Sequence, residues 1–152
     1  MFEHVGRHYY RAYMRALERL LVPDGIAVLH TIASTGPPTP TNPWMRRYIF
    51  PGGYIPALSE IAHAVEGSTL AVADVEVLRD HYALTLHEWN RRFQARRDEF
   101  VRSHGESFCR MWEFYLLISA TAFECGDLVV QQWQLARRDA TLPRTRDYLY
   151  AH

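Results

Sequence analysis

The sequence predicts an α/β fold, because amphipathic segments of helical spacing alternate along the chain with short apolar runs of strand length. The chain has 152 residues, 48% hydrophobic and 22% charged, which is enough for one domain with a buried core. No hairpin signal joins the predicted strands, and three such strands make a poor sheet on their own. The chain is therefore expected to be part of a larger α/β domain.

The first half of the chain is predicted to hold a helix, a strand and a long loop. Residues 10–21 place tyrosine, methionine and leucine at helical spacing, opposite arginines. After a Pro-Asp-Gly turn, the apolar run 26–32 (IAVLHTI) predicts a buried strand, as in a parallel sheet. Six prolines and three glycines over 34–56 predict a loop without regular structure. Its aromatic residues are typical of a loop that covers a site.

The second half is predicted to alternate helices and strands again. In chain order, the pattern predicts a short helix over 57–65, a strand over 69–78, a helix from about 80 to 97, a helix from about 106 to 124, and a strand over 128–137. A Gly-Asp pair separates the last helix from the last strand. The polar residues 138–152 are expected to form an irregular tail.

Charge and cysteine content exclude several classes of protein. All 17 basic residues are arginine, so a Schiff-base lysine and a phosphate-loop lysine are excluded. The formal net charge is zero, so no field of the whole protein favours nucleic acid or an anionic membrane. Cys109 and Cys125 would lie about 24 Å apart along a helix, beyond disulfide reach, which predicts a reduced, cytoplasmic protein. No apolar run is long enough to cross a bilayer, and no secretory leader is recognised.

Three residues are candidates for a functional site. His30 lies near the carboxyl end of the predicted strand 26–32, where ligands of open α/β sheets bind, although a hydrogen-bonded core histidine is the alternative. Glu3 forms a polar pair with His4 among apolar residues, and a simple exposed acid is its alternative. Tyr82 opens a predicted helix, where a packing aromatic residue is the alternative.

Four arginines form a basic cluster on the predicted helix 80–97, namely Arg91, Arg92, Arg96 and Arg97. Such clusters are usually a solvated helix face, although this one could contact a lipid phosphate. The chain contains no GxSxG, HExxH, GxGxxG or phosphate-loop motif. The residues alone therefore indicate an α/β segment, but neither its function nor a metal site.

A set of short motifs runs in a fixed order along the chain. They are MFEHVG (1–6), LHTI (29–32), PWMRRYIFPGG (43–53), HYALTLHEW (81–89) and RMWEFYL (110–116). This ordered set, which holds from residue 1 to about 137, resembles the cyclopropane fatty acid synthases. In that family S-adenosylmethionine donates a methyl group to a cis double bond of a lipid acyl chain.

The resemblance implies a fold and a substrate class. Residues 1–137 are expected to be the C-terminal part of a Rossmann-like class I methyltransferase sheet, with an inserted helical lid and acyl-chain site at about 34–125. Unsaturated phospholipid acyl chains are the expected substrate, because the loop between LHTI and YIFPGG is short compared with mycolic-acid cyclopropane synthases. The resemblance also implies a cytoplasmic enzyme that is peripheral to the inner face of the membrane.

The resemblance assigns roles to four residues. In the family a bound bicarbonate is thought to act as the general base. Here the side chains of Glu3 and His30, the backbone of Ile32 and the hydroxyl of Tyr82 are expected to bind it, and Glu3, His30 and Tyr82 are the expected catalytic residues. A small anion held by such groups can act as a base in an apolar tunnel without bulk water.

The sequence departs from the family in two places. Ala33 stands where a glycine commonly follows LHTI. The glycine-rich cofactor loop of the family, resembling V-L-D-x-G-x-G-x-G, lies upstream of MFEHVG and is not in this sequence, so the cofactor-binding residues stay unassigned. The 152 residues alone are therefore expected to be inactive, with a missing N-terminal half or a homodimer completing the enzyme. The alternative is a truncated remnant that binds lipid or a partner.

Overall fold

Three strands pair into one sheet in the computed structural model, which describes residues 2–150. They are β1 (Ile26–Ser34), β2 (Leu70–Leu78) and β3 (Leu128–Arg137), in the order β1-β3-β2. The last strand therefore lies between the first two, and it runs antiparallel to both. The three strands were predicted within two residues. β1 pairs antiparallel with β3 on its inner edge, and a parallel neighbour of the kind expected for β1 is not among the strands of residues 2–150.

The two faces of the sheet differ in polarity. One face carries buried Leu29, Trp133 and Leu135, and it packs against α1 (Tyr10–Leu20) and α3 (Leu58–Glu66). The opposite face is polar near its centre and carries His30, Gln132, Gln134, Asp74 and Glu76, which the strand register places beside one another. The sheet is therefore apolar towards α1 and α3 and polar on the face that carries the histidine.

The outer edge of β1 is only partly covered. The Ser34 N–H donates to the Pro56 carbonyl over 2.9 Å, and the Ile32 N–H donates to a carboxylate oxygen of Glu3 over 2.6 Å. Further towards the start of the strand, Ile26 and Val28 are 39% and 61% exposed, although their apolar run predicts burial. An open, apolar strand edge agrees with the expectation that this chain is part of a larger sheet.

Three helices are inserted between β2 and β3. They are α4 (His81–Ala95), α5 (Arg97–His104) and α6 (Glu106–Glu124). α4 and α6 pack on each other around a second apolar cluster that includes Leu86, Leu116 and Phe123. Helix α6 has its predicted bounds, whereas the helix predicted to end near residue 97 ends at Ala95. The unassigned segment that follows forms α5, whose first turn is acidic, as the helix dipole favours.

The loop predicted over 34–56 contains regular structure, so that prediction was wrong for six residues. They form the short helix α2 (Pro43–Tyr48). The Asn42 side chain caps it by accepting hydrogen bonds from the N–H groups of Trp44 and Met45, at 2.9 and 3.4 Å. Pro43 suits the first helical position, where no amide hydrogen is needed. Gly52 has a φ of +77°, which only glycine adopts readily, and closes the turn that follows.

The tail folds back on the polar face of the sheet. It contains a 3-10 turn at Arg146–Leu149. Arg146 forms an ion pair of 2.7 Å with Asp74, and the Tyr148 hydroxyl donates to the Gln134 side chain over 2.8 Å. The predicted boundary at residue 137 stays a prediction, and Met1 and the last two tail residues lie outside the described part. Within residues 2–150 no helix combines the length and the apolarity needed to span a membrane.

Tyr54 ties the loop after α2 to its surroundings. Its N–H donates to the Glu3 carbonyl over 2.9 Å, and its hydroxyl donates to the Glu60 carboxylate over 2.7 Å. Glu60 also accepts the Ala57 N–H at 2.9 Å and pairs with Arg7 at 2.7 Å. Burial, followed by the hydrogen bond to Glu60, raises the pKa of Tyr54 to about 12. This network holds the backbone of Glu3 in place.

We expect Tyr54→Phe to lower the free energy of unfolding by about 1 kcal/mol at neutral pH, because the hydrogen bond to Glu60 is lost. The pKa of Tyr54 is raised above its unfolded value of about 10. Its stabilising effect is therefore complete below about pH 10 and is lost as the pH rises towards about 12. Urea unfolding of both proteins across this range measures the difference. Tyr9→Phe, which alters an exposed tyrosine, is the control, and an equal loss there would contradict the assignment.

Candidate active site

Glu3 is fixed at the edge of β1 by its neighbours in the N-terminal 3-10 turn. Phe2 is fully buried and its ring stacks on Tyr10, with centroids 4.2 Å apart. This anchor and the Tyr54 hydrogen bond orient the Glu3 carboxylate towards the Ile32 N–H. Burial raises the pKa of Glu3, but the positive N-terminal amino group, followed by the backbone amides of Glu3 and Ile32, lowers it by more, so the net pKa lies below its usual range. Glu3 is therefore an ionised acceptor at neutral pH.

His30 lies two residues before Ile32, on the same face of β1. Its side chain is exposed, so the alternative of a core histidine does not hold. The His30 Nδ1 lies 3.1 Å from the side-chain amide nitrogen of Gln132. Because an amide nitrogen only donates, Nδ1 accepts this hydrogen bond and the ring proton resides on Nε2. His30 can therefore offer an N–H donor to a ligand.

Gln132 was missed in the sequence analysis. It lies on β3, directly opposite His30 on one side and Glu76 on the other. The contact joins residues 102 positions apart, and it exists only because β3 pairs with β1 in this register. No local motif or periodicity indicates such a partner. Only the order and register of the strands identify Gln132 as the partner of His30.

Tyr82 lies in the first turn of α4, close to the same end of β1. Its ring is half-buried and packs against Phe123 of α6, with centroids 5.1 Å apart. Burial, and then the negative charge of Glu3, raise the pKa of Tyr82, so its hydroxyl stays protonated at neutral pH. The side chains of Tyr82 and Ile32 pack against the same apolar cluster. The structure thus brings Tyr82 into the electrostatic range of Glu3.

Aromatic rings continue from the N-terminal turn to α6. The ring centroids of His4 and Phe50 are 5.8 Å apart, and those of Phe50 and Tyr115 are 5.9 Å apart. Burial, and then Tyr82, raise the pKa of Tyr115. We call His4, Phe50, Tyr115 and Tyr82 the aromatic row. Aromatic faces of this kind stabilise a nearby cation.

The four predicted site residues offer complementary hydrogen-bonding groups. The Ile32 N–H, the His30 Nε2–H and the Tyr82 hydroxyl are donors, and Glu3 is an acceptor. A small oxyanion that carries one hydroxyl could use all of these groups only by sharing the Ile32 N–H with Glu3, which accepts it here over 2.6 Å. Within residues 2–150 no three His, Cys, Asp or Glu side chains are arranged to hold a metal ion.

S-adenosylmethionine is not matched by the described residues on their own. The carboxyl end of β1 continues into a turn with a single glycine, Gly36. An added Cβ there would lie 2.8 Å from the Asp127 carboxylate, so this glycine accommodates a side chain of the protein itself. A cofactor-binding turn instead presents several glycines and free backbone donors. We therefore assign no step of cofactor binding to this chain.

Comparison with known proteins gives concordant results. The family model for mycolic acid cyclopropane synthetase matches residues 1–133. The cyclopropane-fatty-acyl-phospholipid synthase of Escherichia coli K12 is 38% identical over 135 residues, covering 89% of this chain and 35% of that protein. The cyclopropane synthase MmaA2 of Mycobacterium tuberculosis superimposes with a TM-score of 0.81 at 26% identity, covering 90% of this chain and 52% of that one. The mycolic acid cyclopropane synthase CmaA1, solved with SAH and CTAB, gives a TM-score of 0.79 at 27% identity, with coverages of 88% and 52%.

The matched proteins are longer than this chain, which agrees with the uncovered outer edge of β1. The chain spans about a third of the length of the Escherichia coli relative and about half of the two solved proteins. Its sheet with the inserted helices is the C-terminal part of a class I methyltransferase fold, which confirms the predicted fold class. Since the family model matches most of its residues, the chain belongs to the mycolic acid cyclopropane synthetase family.

Proposed function

We propose that this chain forms the acyl-chain site of an enzyme that transfers a methyl group from S-adenosylmethionine to a cis double bond of an unsaturated phospholipid acyl chain. The observation that carries the proposal is the hydrogen bond from the Ile32 N–H to the Glu3 carboxylate. Tyr82 lies within the electrostatic range of this carboxylate, and His30 lies two residues before Ile32 on the same face of β1. The aromatic row beside them suits a substrate that is apolar and becomes cationic during the reaction.

Phospholipid is preferred over mycolic acid as the source of the acyl chain. By sequence comparison the identity to the Escherichia coli phospholipid synthase is 38%, against 30% and 27% to the cyclopropane mycolic acid synthases 1 and MmaA2 of Mycobacterium tuberculosis. The short loop between LHTI and YIFPGG supports the same preference. The protein is accordingly proposed to work as a cytoplasmic enzyme at the inner face of the membrane.

Bicarbonate is the proposed general base of the site. The His30 Nε2–H and the Tyr82 hydroxyl would donate to its oxygens, and Glu3 would accept from its hydroxyl. The Ile32 N–H, which donates to Glu3 in this structure, would be shared with the anion. A bicarbonate held in this way would supply a base where bulk water is excluded. The raised pKa of Tyr82 supports the arrangement, because a protonated hydroxyl is the form that donates.

The reaction balances with these groups. S-adenosylmethionine supplies the methyl group and leaves as S-adenosylhomocysteine. The double bond provides the electron pair for the new C–C bond, which leaves a positive charge on the acyl chain. The residues of this chain would position the acyl carbon and hold the base that removes a proton, and the aromatic row would lie beside the charge.

A remnant that binds lipid or a partner protein is the second candidate, because the edge of β1 is open and apolar at Ile26 and Val28. The first candidate predicts methyl transfer by the complete protein, and the second predicts none. The 152 residues and the product of the complete native reading frame are each incubated with labelled S-adenosylmethionine and unsaturated phospholipid vesicles. We expect transfer by the complete product and none by the 152 residues. If neither protein transfers the methyl group, the remnant that binds lipid or a partner becomes the preferred candidate. Transfer by the 152 residues would show that their cofactor site was overlooked.

In the complete protein we expect Tyr82→Phe to lower kcat about 100-fold, since a donor to the general base is lost. Glu3→Ala should have at least as large an effect, because it removes the acceptor for the same anion. The affinity for S-adenosylmethionine should stay nearly unchanged in both variants. Turnover and equilibrium binding of the cofactor are measured side by side, and Tyr9→Phe is the control. A large loss of cofactor affinity with normal turnover at saturation would contradict the roles of Glu3 and Tyr82.

We expect Gln132→Leu to lower kcat about tenfold in the complete protein, because His30 loses the partner that keeps its proton on Nε2. Nitrogen-15 NMR of His30 should show a mixture of tautomers in this variant and one tautomer in the parent. Gln134→Leu, two residues further along the same strand face, is the matched control. An unchanged His30 spectrum in Gln132→Leu would count against the positioning role.

A further inference from the structure

A second surface of the molecule combines exposed apolar rings with arginines, next to the apolar cluster that Ile32 and Tyr82 also contact. We call it the α2–α6 surface, and it consists of Trp44, Arg46, Arg47 and Tyr48 on α2 with Phe114 and Leu117 on α6. The Trp44 ring meets Phe114 edge-on with centroids 4.8 Å apart, and its centroid lies 5.6 Å from that of Tyr48. These contacts make the two helices one continuous surface.

The large side chains of this surface face solvent. Tyr48, Phe114 and Leu117 are 49%, 48% and 46% exposed. Phe114 and Leu117 are three residues apart on α6, so they share one face of the helix. Single exposed apolar residues are common on proteins, but a contiguous group marks a surface that contacts something else.

The charge on the α2–α6 surface is positive and uncompensated. Residues 25–59 contain no aspartate or glutamate. Over residues 2–150, no ion pair involves Arg46 or Arg47. The Arg47 guanidinium lies 5.3 Å from the centroid of the Tyr48 ring, which leaves its N–H groups free to bind an anion. The nearby Glu113 of α6 faces away, towards Arg97 and Gln94.

The arginines of α4 and α5 are in the opposite situation. Arg91 and Arg92 both pair with Glu88 at 2.7 Å, and their hydrogen bonds lower the pKa of Glu88 to about 2. Arg96 pairs with Glu99 and Arg97 with Glu106, each at 2.6 Å. This cluster, a candidate for lipid phosphate in the sequence, is neutralised by its own helices. Of these two groups of arginines, the one on α2 is therefore the one whose charge is not offset by neighbouring acids.

We propose that the α2–α6 surface docks the protein on a bilayer that contains anionic phospholipid, with Arg46 and Arg47 on the headgroup phosphates and the aromatic side chains in the interface. The proposal rests on the proposed function, in which a phospholipid acyl chain is the substrate. Arginine pairs well with phosphate, and Trp, Tyr and Phe favour the boundary between headgroups and acyl chains. Charge and apolar area occur here together, which suits an anionic membrane better than a purely apolar protein partner.

The test compares two matched pairs of arginines. The product of the complete native reading frame is sedimented with vesicles of phosphatidylglycerol and phosphatidylcholine, and with vesicles of phosphatidylcholine alone. Arg46→Gln/Arg47→Gln should lower the partition coefficient for the anionic vesicles about tenfold. Phe114→Ser/Leu117→Ser should lower it by about as much through lost apolar contact. The control Arg91→Gln/Arg92→Gln should leave it unchanged, and circular dichroism confirms that each variant is folded.

Quenching of tryptophan fluorescence by brominated lipid gives a second measurement, in which the variants do not alter the charge of the protein. Trp44→Phe should remove more of the quenching than Trp89→Phe, since Trp44 belongs to the surface and Trp89 lies on α4. Equal loss of vesicle binding in both arginine pairs would overturn the proposal. So would equal binding to neutral vesicles, or absence of binding in the complete protein because another segment covers this face. Vesicle binding without methyl transfer would support the docking surface and count against the proposed reaction alone.

Discussion

The backbone donors along the outer edge of β1 are the constraint on which the site depends. A buried N–H group needs a partner, and β3 satisfies only the inner edge of this strand. Ile32 finds its partner in Glu3 and Ser34 finds its partner in Pro56, so segments before and after β1 are held against it. The hydrogen bond that satisfies the strand also fixes the carboxylate of the site. Folding and the proposed catalysis would therefore depend on the same contact.

The central position of β3 explains how residues from distant parts of the chain meet. Ile32 and Leu78 lie on either side of Val130, so the ends of β1 and β2 are about 10 Å apart. α4 begins three residues after β2, and its Tyr82 packs on α6, which leads back into β3. The insertion thus returns over the end of the sheet and places a hydroxyl near Glu3. The same strand brings Gln132 to His30.

Local patterns predicted the elements far better than their arrangement. Apolar runs bounded by turn residues located all three strands, and helical spacing located α1, α3 and α6. α2 was missed because its prolines were weighed as breakers, although an Asn-Pro pair is also a helix start. The antiparallel pairing of β1 could not be predicted, because a continuous apolar run suits either direction. Glu3, His30 and Tyr82 came from resemblance to a family, whereas Gln132 required the strand register.

Although the formal net charge of the protein is zero, positive and negative side chains are unevenly distributed over its surface. Arg91 and Arg92 on α4 meet Glu88 three or four residues away and Arg97 on α5 meets Glu106, whereas α2 lies in a stretch without acids and keeps its charge. Helix α6 connects this surface to the site, because Phe114 contacts Trp44 while its neighbour Tyr115 contacts Phe50 of the aromatic row. The two side chains leave the helix about 100° apart. An acyl chain drawn from a bilayer at the α2–α6 surface would therefore follow α6 from Phe114 towards Tyr115 and the aromatic row.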